Sequence, residues 1–319
     1  MQANQNLDTI VAPATPPGEG GIGILRLSGP RAAEILQSFF RPSRGSGPLA
    51  SHRLYHGRLI TRQGICADEV MAVVMRAPRS YTREDVAEIH CHGGPQVMRR
   101  LLDLFIESGI RLARPGEFTL RAFLNGRLDL AQAEAVIAVI RSASEAASQV
   151  ALQQLAGKLS QAIHTIRDQL VEVLALIETE VDFPEDELEL PSRQALQERV
   201  EVARGEIDQL LASFDTGRTL REGMAVLILG KPNVGKSSLL NALLGEARAI
   251  VNPAPGTTRD TIEENLNLGG IPLRLVDTAG IRHTTDPIEA EGVRRARAKI
   301  PSADLVLLVV DGSQAPDGD

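Results

Sequence analysis

Over the first 125 residues, short bursts of alternating apolar and polar positions are separated by stretches rich in Pro and Gly. Residues 10–21 belong to the second kind and read as a loop leading into a strand, Ile22 to Leu27. Side chains alternate along a strand, so Ile22, Ile24 and Arg26 share one face while Leu25 and Leu27 share the other. Ala32 to Phe40 has helical spacing, and residues 41–50 form a Pro-, Gly- and Ser-rich loop. The run Val70 to Met75 predicts a buried strand within residues 68–77. Val86 to Cys91 predicts another, closed by Gly93-Gly94-Pro95. Val97, Leu101 and Phe105 then recur at i, i+4 and i+8, the signature of a helix over residues 96–108 ended by Gly109. Residues 1–125 are expected to form one α/β domain.

Near Leu128 the pattern changes. Ala, Gln, Glu, Leu and Ile dominate as far as Val181, with Gly157 the sole interruption, a composition of long helices. Asp182-Phe183-Pro184 breaks this run, and the acidic stretch from Glu178 to Glu189 reads as a solvated face or loop. Ser192 is placed to cap a further helix running to Phe214. A bundle built from residues 126–222 alone is expected to be incomplete. From residue 223 short apolar runs return: Ala225 to Leu229, Ile271 to Val276 and Leu305 to Val310. Between the first two lies a helical segment from Ser238 to Leu244, with Gly245 as its stop.

With 319 residues the chain has room for two or three domains. It contains no Trp and only 3% aromatic residues, so its cores must be largely aliphatic. A net charge of −7 argues against broad electrostatic coating of nucleic acid and leaves room for a local basic patch. Cys66 and Cys91 are too few for a disulfide scaffold. No signal peptide is recognisable, and no apolar run approaches the ~20 residues that span a bilayer. The expectation is a cytoplasmic protein with no membrane segment.

His90-Cys91-His92 offers three potential metal ligands, but a strand sends the histidines to one face and the cysteine to the other. A structural or substrate-contacting role is the stronger reading. The most specific signal is Gly230-Lys-Pro-Asn-Val-Gly-Lys-Ser237, which fits the P-loop, G-x-x-x-x-G-K-[S/T]. It follows an apolar strand and precedes a helix, the context that aims a helix N-terminus at phosphate. Lys236 is expected to reach the β- and γ-phosphates and Ser237 to give its hydroxyl to Mg²⁺, with Asn233, Val234, Gly235 and Ser238 in the same cradle.

Thr258 lies 21 positions after Ser237, in the loop Gly256-Thr257-Thr258, and Asp277-Thr278-Ala279-Gly280 begins 19 positions later. That order is the order of a G domain: Thr258 closing over Mg²⁺ and the γ-phosphate, Asp277 holding Mg²⁺ through water, Gly280 sensing the γ-phosphate. The next position is Ile281, an aliphatic side chain that cannot orient water, so hydrolysis needs another group. Asn233 could ligate a monovalent cation beside the phosphates or simply stabilise the turn. No Asn-Lys-x-Asp occurs in the 319 residues, so nothing among them selects GTP over ATP directly. The expectation is a C-terminally truncated G domain.

Outside these motifs the sequence resembles the MnmE (TrmE) family of tRNA modification GTPases. The matching stretches are Asp8-Thr9-Ile10-Val11-Ala12, Ala14 to Gly18, Gly20 to Ile24, His92 to Pro95, Arg114 to Thr119, and Ala122 to Leu130. The resemblance implies a multidomain α/β protein: an N-terminal α+β domain (1–125) that dimerises and binds a 5-formyltetrahydrofolate-type folate, a helical domain (first part, 126–222), and a Ras-like P-loop G domain (223–319). That G domain is doubly wound, incomplete at its C-terminal end and inserted in the helical domain. It implies GTP hydrolysis with Mg²⁺ and K⁺, and a homodimer that joins the FAD-containing partner MnmG in a heterotetramer. The complex modifies carbon 5 of the wobble uridine of tRNA. By position, Arg26, Glu88 and Arg127 fall at the folate contacts; from their residue types alone the two arginines read as surface charges. Asn233 falls at the K⁺ ligand, with the loop Asn252, Pro253, Ala254, Pro255, Gly256 and Thr257 wrapping the ion. Glu289 falls at the catalytic glutamate that orients the attacking water; read alone it is an exposed carboxylate at a helix start. A non-enzymatic G-protein switch and an inactive truncated fragment are the alternatives. Arg26, Glu88 and Arg127 argue against the first, because a generic switch lacks this N-terminal domain.

Overall fold

The computed structural model describes residues 8–45, 47–142, 144–183, 190–230, 234–246, 264–268, 271–276 and 300–313. The chain packs as two compact units, Met1–Ala133 and Glu134–Asp319.

The first unit contains β1 (Ile10–Pro13), β2 (Gly20–Ser28), α1 (Ala32–Phe39), β3 (Phe40–Pro42), β4 (Tyr55–Ile60), β5 (Cys66–Met75), β6 (Val86–Gly93), α2 (Pro95–Ile106), β7 (Arg111–Leu112) and α3 (Glu117–Leu124). Its seven strands form one sheet in the order β3-β4-β5-β6-β2-β1-β7, antiparallel throughout except for the β1–β7 pair. Leu25, Leu27, Ala72, Val74, Ile89 and Cys91 turn to one face, where Leu36 and Phe39 of α1 and Leu101 and Phe105 of α2 cover them. The opposite face presents Arg26, Glu88 and His90, each partly exposed.

Two expectations need correction here. Residues 10–13 are a strand rather than the start of a loop: Ile10 and Val11 are fully buried and pair with Ser28 and Leu27. Burying two β-branched side chains outweighs the local turn signal of the Pro-Gly stretch. Phe40, read as the end of the helix, and residues 41–42, read as loop, form the short edge strand β3 beside β4, an element whose weak alternation the sequence pattern had not marked.

The second unit is helical and then sheet-forming. Its helices are α4 (Leu130–Arg141, carrying the chain out of the first unit), α5 (Glu145–Leu155), α6 (Lys158–Asp182), α7 (Arg193–Ala212) and α8 (Phe214–Glu222). The expected interruption at Gly157 is present, with Gly157 at φ 87. A second break separates α4 from α5, where Ser144 caps α5 by accepting from Ala147 N–H. Ser192 caps α7 in the same way, accepting from Ala195 N–H. No described helix is long and apolar enough to cross a membrane.

The sheet of this unit comprises β8 (Met224–Leu229), β9 (Glu264–Leu268), β10 (Ile271–Val276) and β11 (Leu305–Leu308), with α9 (Lys236–Glu246) following β8. The strand order is β11-β8-β10-β9; β8 runs parallel to both β10 and β11, and β9 is antiparallel to β10. Val226, Ile228, Leu240, Leu266 and Leu275 form its core. Because β8 lies between β10 and β11, its C-terminal end is where successive connections leave for opposite sides of the sheet. In open parallel sheets ligands bind at that point.

Candidate functional site

In the first unit, antiparallel pairing sets Arg26 of β2 directly opposite Glu88 of β6. Their side chains meet, with Arg26 Nε donating to Glu88 Oε1 at 2.7 Å. Arg127 is far away in sequence but joins them through Tyr81. The Arg26 guanidinium lies 5.3 Å and that of Arg127 4.8 Å from the Tyr81 ring centroid, both within cation–π range. Arg127 Nη1 also donates to the Tyr81 carbonyl at 3.0 Å. Phe118 flanks Arg26 at 5.8 Å. His90 completes the group: its Nε2 is buried without a hydrogen-bond partner and stands 3.8 Å from Glu88 Oε2, beyond hydrogen-bond reach.

A buried charge network holds this arrangement. Arg121, its side chain only 3% exposed, donates from Nη2 to Asp8 Oδ1 at 2.6 Å and to Glu117 Oε1 at 3.2 Å, and from Nη1 to Glu84 Oε2 at 3.2 Å. Arg111 pairs with Asp8 and Glu117 as well. The hydrogen bond from Arg111 is the chief reason the Glu117 carboxyl is held down to about 2; burial opposes it, and Arg114 N–H and Arg121 add to it. In Asp8, burial pushes the carboxyl up, but hydrogen bonds from Arg111 and Arg121 more than offset it. The network seats α3, which carries Phe118 to Arg26 and brings the Thr119 hydroxyl to 2.9 Å from Tyr81 Oη. Ser28 bonds Thr82 and Glu84, and Asn125 Nδ2 donates to Thr82 O, fixing the segment that follows Tyr81.

Tyr81, Phe118 and Arg121 were not singled out from the sequence, whereas His90 was, as part of His90-Cys91-His92. Tyr81 is one of two tyrosines in a chain poor in aromatics, and Phe118 lies inside the matched stretch from Arg114 to Thr119. Both signals were available, but only the fold joins them to Arg26.

His90, Cys91 and His92 separate as the strand period requires. His92 Nδ1 pairs with Asp68 at 2.7 Å on the exposed side, while the buried Cys91 thiol donates to Gly23 O. Burial pushes that thiol up to about 11, which keeps it protonated and a poor ligand. Among the described residues no group of three His, Cys, Asp or Glu side chains could hold a metal ion.

In the second unit, β8 delivers the chain to Gly230 and α9 starts at Lys236. Gly230 sits at φ 155, where a Cβ would collide with the Val309 carbonyl oxygen. Gly235 sits at φ 101, a conformation closed to ordinary side chains. Both motif glycines are therefore demanded by the backbone. Val234 and Gly235 lead into α9, whose first turn contains Lys236, Ser237 and Ser238. The N–H groups at a helix N-terminus and the positive end of its dipole favour an anion. Lys236 Nζ donates to Gly230 O at 2.7 Å, tying the ammonium to the first residue of the loop, and burial lowers its affinity for a proton. Asn233, Asn252 to Thr258, Asp277 to Gly280 and Glu289 lie outside the described residues.

A strand flanked by two parallel strands, with a glycine-bearing P-loop sequence and a helix after it, in a chain whose other unit carries a separate, mostly antiparallel sheet, defines a multidomain P-loop protein. Two family models match the chain: GTP-binding protein TrmE N-terminus over residues 9–127 and MnmE helical domain over residues 130–314. The chain belongs to the MnmE (TrmE) family. It is 62% identical over 309 residues to the tRNA modification GTPase MnmE of Syntrophotalea carbinolica, covering 97% of this chain and 68% of that one. The proteins of the same name from Geobacter sulfurreducens and Natranaerobius thermophilus are 57% and 50% identical. They cover 98% and 96% of this chain, and 68% and 67% of their own length is matched. The chain thus spans about two thirds of the length of these relatives.

Proposed function

We propose that this protein is a GTPase of tRNA modification, hydrolysing GTP to GDP and phosphate. The observation that carries the reading is the β8–loop–α9 unit, which sets a P-loop lysine at the C-terminal end of the sheet's dividing strand. Relatives bearing the name tRNA modification GTPase over nearly all of this chain supply the reaction class.

In this reading Lys236 and the N–H groups from Val234 to Ser238 hold the β- and γ-phosphates, and Ser237 and Thr258 hold Mg²⁺, with Asp277 acting through water. Mg²⁺ when bound neutralises charge on the phosphates. Asn233, Asn252, Ala254 and Thr257 hold K⁺, and Thr278, Ala279 and Gly280 follow the γ-phosphate. Glu289 orients the attacking water, the task that Ile281 cannot perform.

In the first unit Arg26, Glu88 and Arg127 bind a 5-formyltetrahydrofolate-type ligand. The donor set fits such a group: a carboxylate suited to a pterin's amino and ring N–H groups, guanidinium groups for its oxygens, aromatic rings to pack against, and His90 Nε2 unsatisfied at the same place. The protein acts as a cytoplasmic homodimer with the FAD-containing partner MnmG, modifying carbon 5 of the tRNA wobble uridine. Its domains are 1–125, 126–222 and an inserted G domain at 223–319. The family-model boundary between residues 127 and 130, and the reach of the helical-domain match across the P-loop sheet, support that layout.

The test is phosphate release from GTP with Mg²⁺, in KCl and in NaCl, for the wild type and Glu289→Ala. We expect release to be faster in KCl, and Glu289→Ala to keep nucleotide binding while losing about 10²–10⁴-fold in turnover. Nucleotide binding without any phosphate release by the wild type would overturn the enzyme in favour of a switch. Equal turnover in Glu289→Ala removes that residue from the mechanism.

A further inference from the structure

Beside the Arg26–Glu88 pair lies an open hollow of about 510 Å³ whose walls include His52, Arg79, Ser80, Tyr81, Arg83 and Arg127. Among the described residues no carboxylate lines it. The fold neutralises other arginines of this region: Arg76 is paired with Asp85, and Arg121 with three carboxylates. The arginines of the hollow are treated differently. Arg83 and Arg127 each donate to a neutral backbone carbonyl, that of Asn125 at 3.1 Å and that of Tyr81 at 3.0 Å. The Arg79 side chain makes no hydrogen bond or ion pair among the described residues. Three guanidinium groups are thus gathered with their charge uncompensated.

The backbone around the hollow is strained as well. His52 (φ 61) and Arg83 (φ 59) are the two non-glycine residues in the left-handed region among the described residues, and both line it. Left-handed backbone at such residues is costly and clusters at ligand sites.

We propose that this hollow receives the anionic γ-glutamyl tail of the folate and makes the protein prefer polyglutamylated ligand. The inference rests on the folate reading of Arg26, Glu88 and Arg127. Tyr81 and Arg127 belong to both places, so a ligand whose ring system sits at Arg26 and Glu88 has a continuous path into the hollow. A monoglutamyl folate offers two carboxylates, whereas each further γ-glutamyl unit adds one. Arg79, the guanidinium with no partner, is matched only by the longer tail. Guanidinium forks bind carboxylates in paired hydrogen bonds, which an open, solvated hollow permits at modest gain per pair.

The experiment is equilibrium binding of 5-formyltetrahydrofolate in its monoglutamyl and triglutamyl forms to the full chain, for the wild type, Arg79→Ala and Arg79→Glu. We expect the wild type to bind the triglutamyl form about 10-fold tighter, in line with two exposed ion pairs. In Arg79→Ala the ratio should fall by about 3-fold, and in Arg79→Glu to about 1, with thermal midpoints unchanged because the Arg79 side chain makes no hydrogen bond or ion pair among the described residues. Equal affinity of the wild type for both forms overturns the proposal and leaves the folate reading standing. Failure to bind either form overturns both. If Arg79→Glu weakens tRNA binding and leaves the folate ratio intact, the hollow serves RNA phosphates and the proposal is wrong.

Discussion

In the first unit the 12-residue helix α2 buries Leu101, Leu104 and Phe105 against the sheet. In the second, the 25-residue helix α6 buries Ile166 and Val173 while Leu170, Val171, Leu174, Ile177 and Val181 stay exposed. Both are amphipathic, and both have good helix-forming residues. What separates them is cover. The sheet of the first unit offers a wide apolar face, with α1 and α2 side by side on it, so Leu36, Phe39, Leu101, Leu104 and Phe105 are all enclosed. Among the residues that the helices α4 to α7 bury are Ala135, Ala147, Ala151 and Ala203, which bring little apolar area. A helical pattern in sequence therefore specifies a helix without specifying how much stability its packing supplies.

This contrast can be broken by mutation. The largest effect is expected for Phe105→Ala, because Phe105 is fully buried and packs edge-on against Phe39 at 5.9 Å. Chemical denaturation should show a loss of about 3–5 kcal/mol; less than about 1 kcal/mol would mean that the core is looser than described. Replacing Arg121 with Met should cost about 3 kcal/mol, since it leaves Asp8, Glu84 and Glu117 together without their shared cation. A stability gain would show that the buried network is a net burden on folding.

Acid should act on the first unit through the same network. The folded-state pKa of Glu117 is about 2, below its ordinary 4.5. Its contribution is therefore complete above about pH 4.5 and is lost as pH falls towards 2, about 3 kcal/mol in all if this group acts alone. The thermal midpoint of the first unit should fall across that window, and Glu117→Gln should flatten the fall. The smallest effect is expected for Ile140→Ala in α4, where the side chain is 70% exposed; a change within about 0.5 kcal/mol is predicted. A loss like that of Phe105→Ala would put cover on α4 that the described residues do not provide.

How much of this was legible in the sequence differs between the same two regions. The strands β2, β5, β6, β8 and β10 and the helices α1, α2 and α7 follow directly from apolar periodicity and capping. Strand β1 was hidden because its Ile10-Val11 pair sits in a Pro-Gly stretch, and only pairing with β2 makes it a strand. In β4, Tyr-His-Gly-Arg-Leu-Ile alternates too weakly to be read without its partner strands. The break between α4 and α5 has neither Gly nor Pro, and Ser144 reveals it only through its hydrogen bond to Ala147 N–H. At the candidate sites, the P-loop was readable because backbone geometry demands glycine at Gly230 and Gly235. The first-unit cluster was not readable from spacing, because Arg26, Tyr81, Glu88, Phe118 and Arg127 meet only through strand pairing and the seating of α3.

The most direct test of the central claim is the affinity of a fluorescent GTP analogue with Mg²⁺, measured for the wild type and Lys236→Ala and competed with GTP and ATP. The account predicts saturable binding displaced by GTP and weakened about 100-fold or more in Lys236→Ala, because that ammonium meets the β- and γ-phosphates; ATP, which carries the same phosphates, is expected to compete as well. Equal binding by the two proteins, or no displacement by GTP, would contradict it.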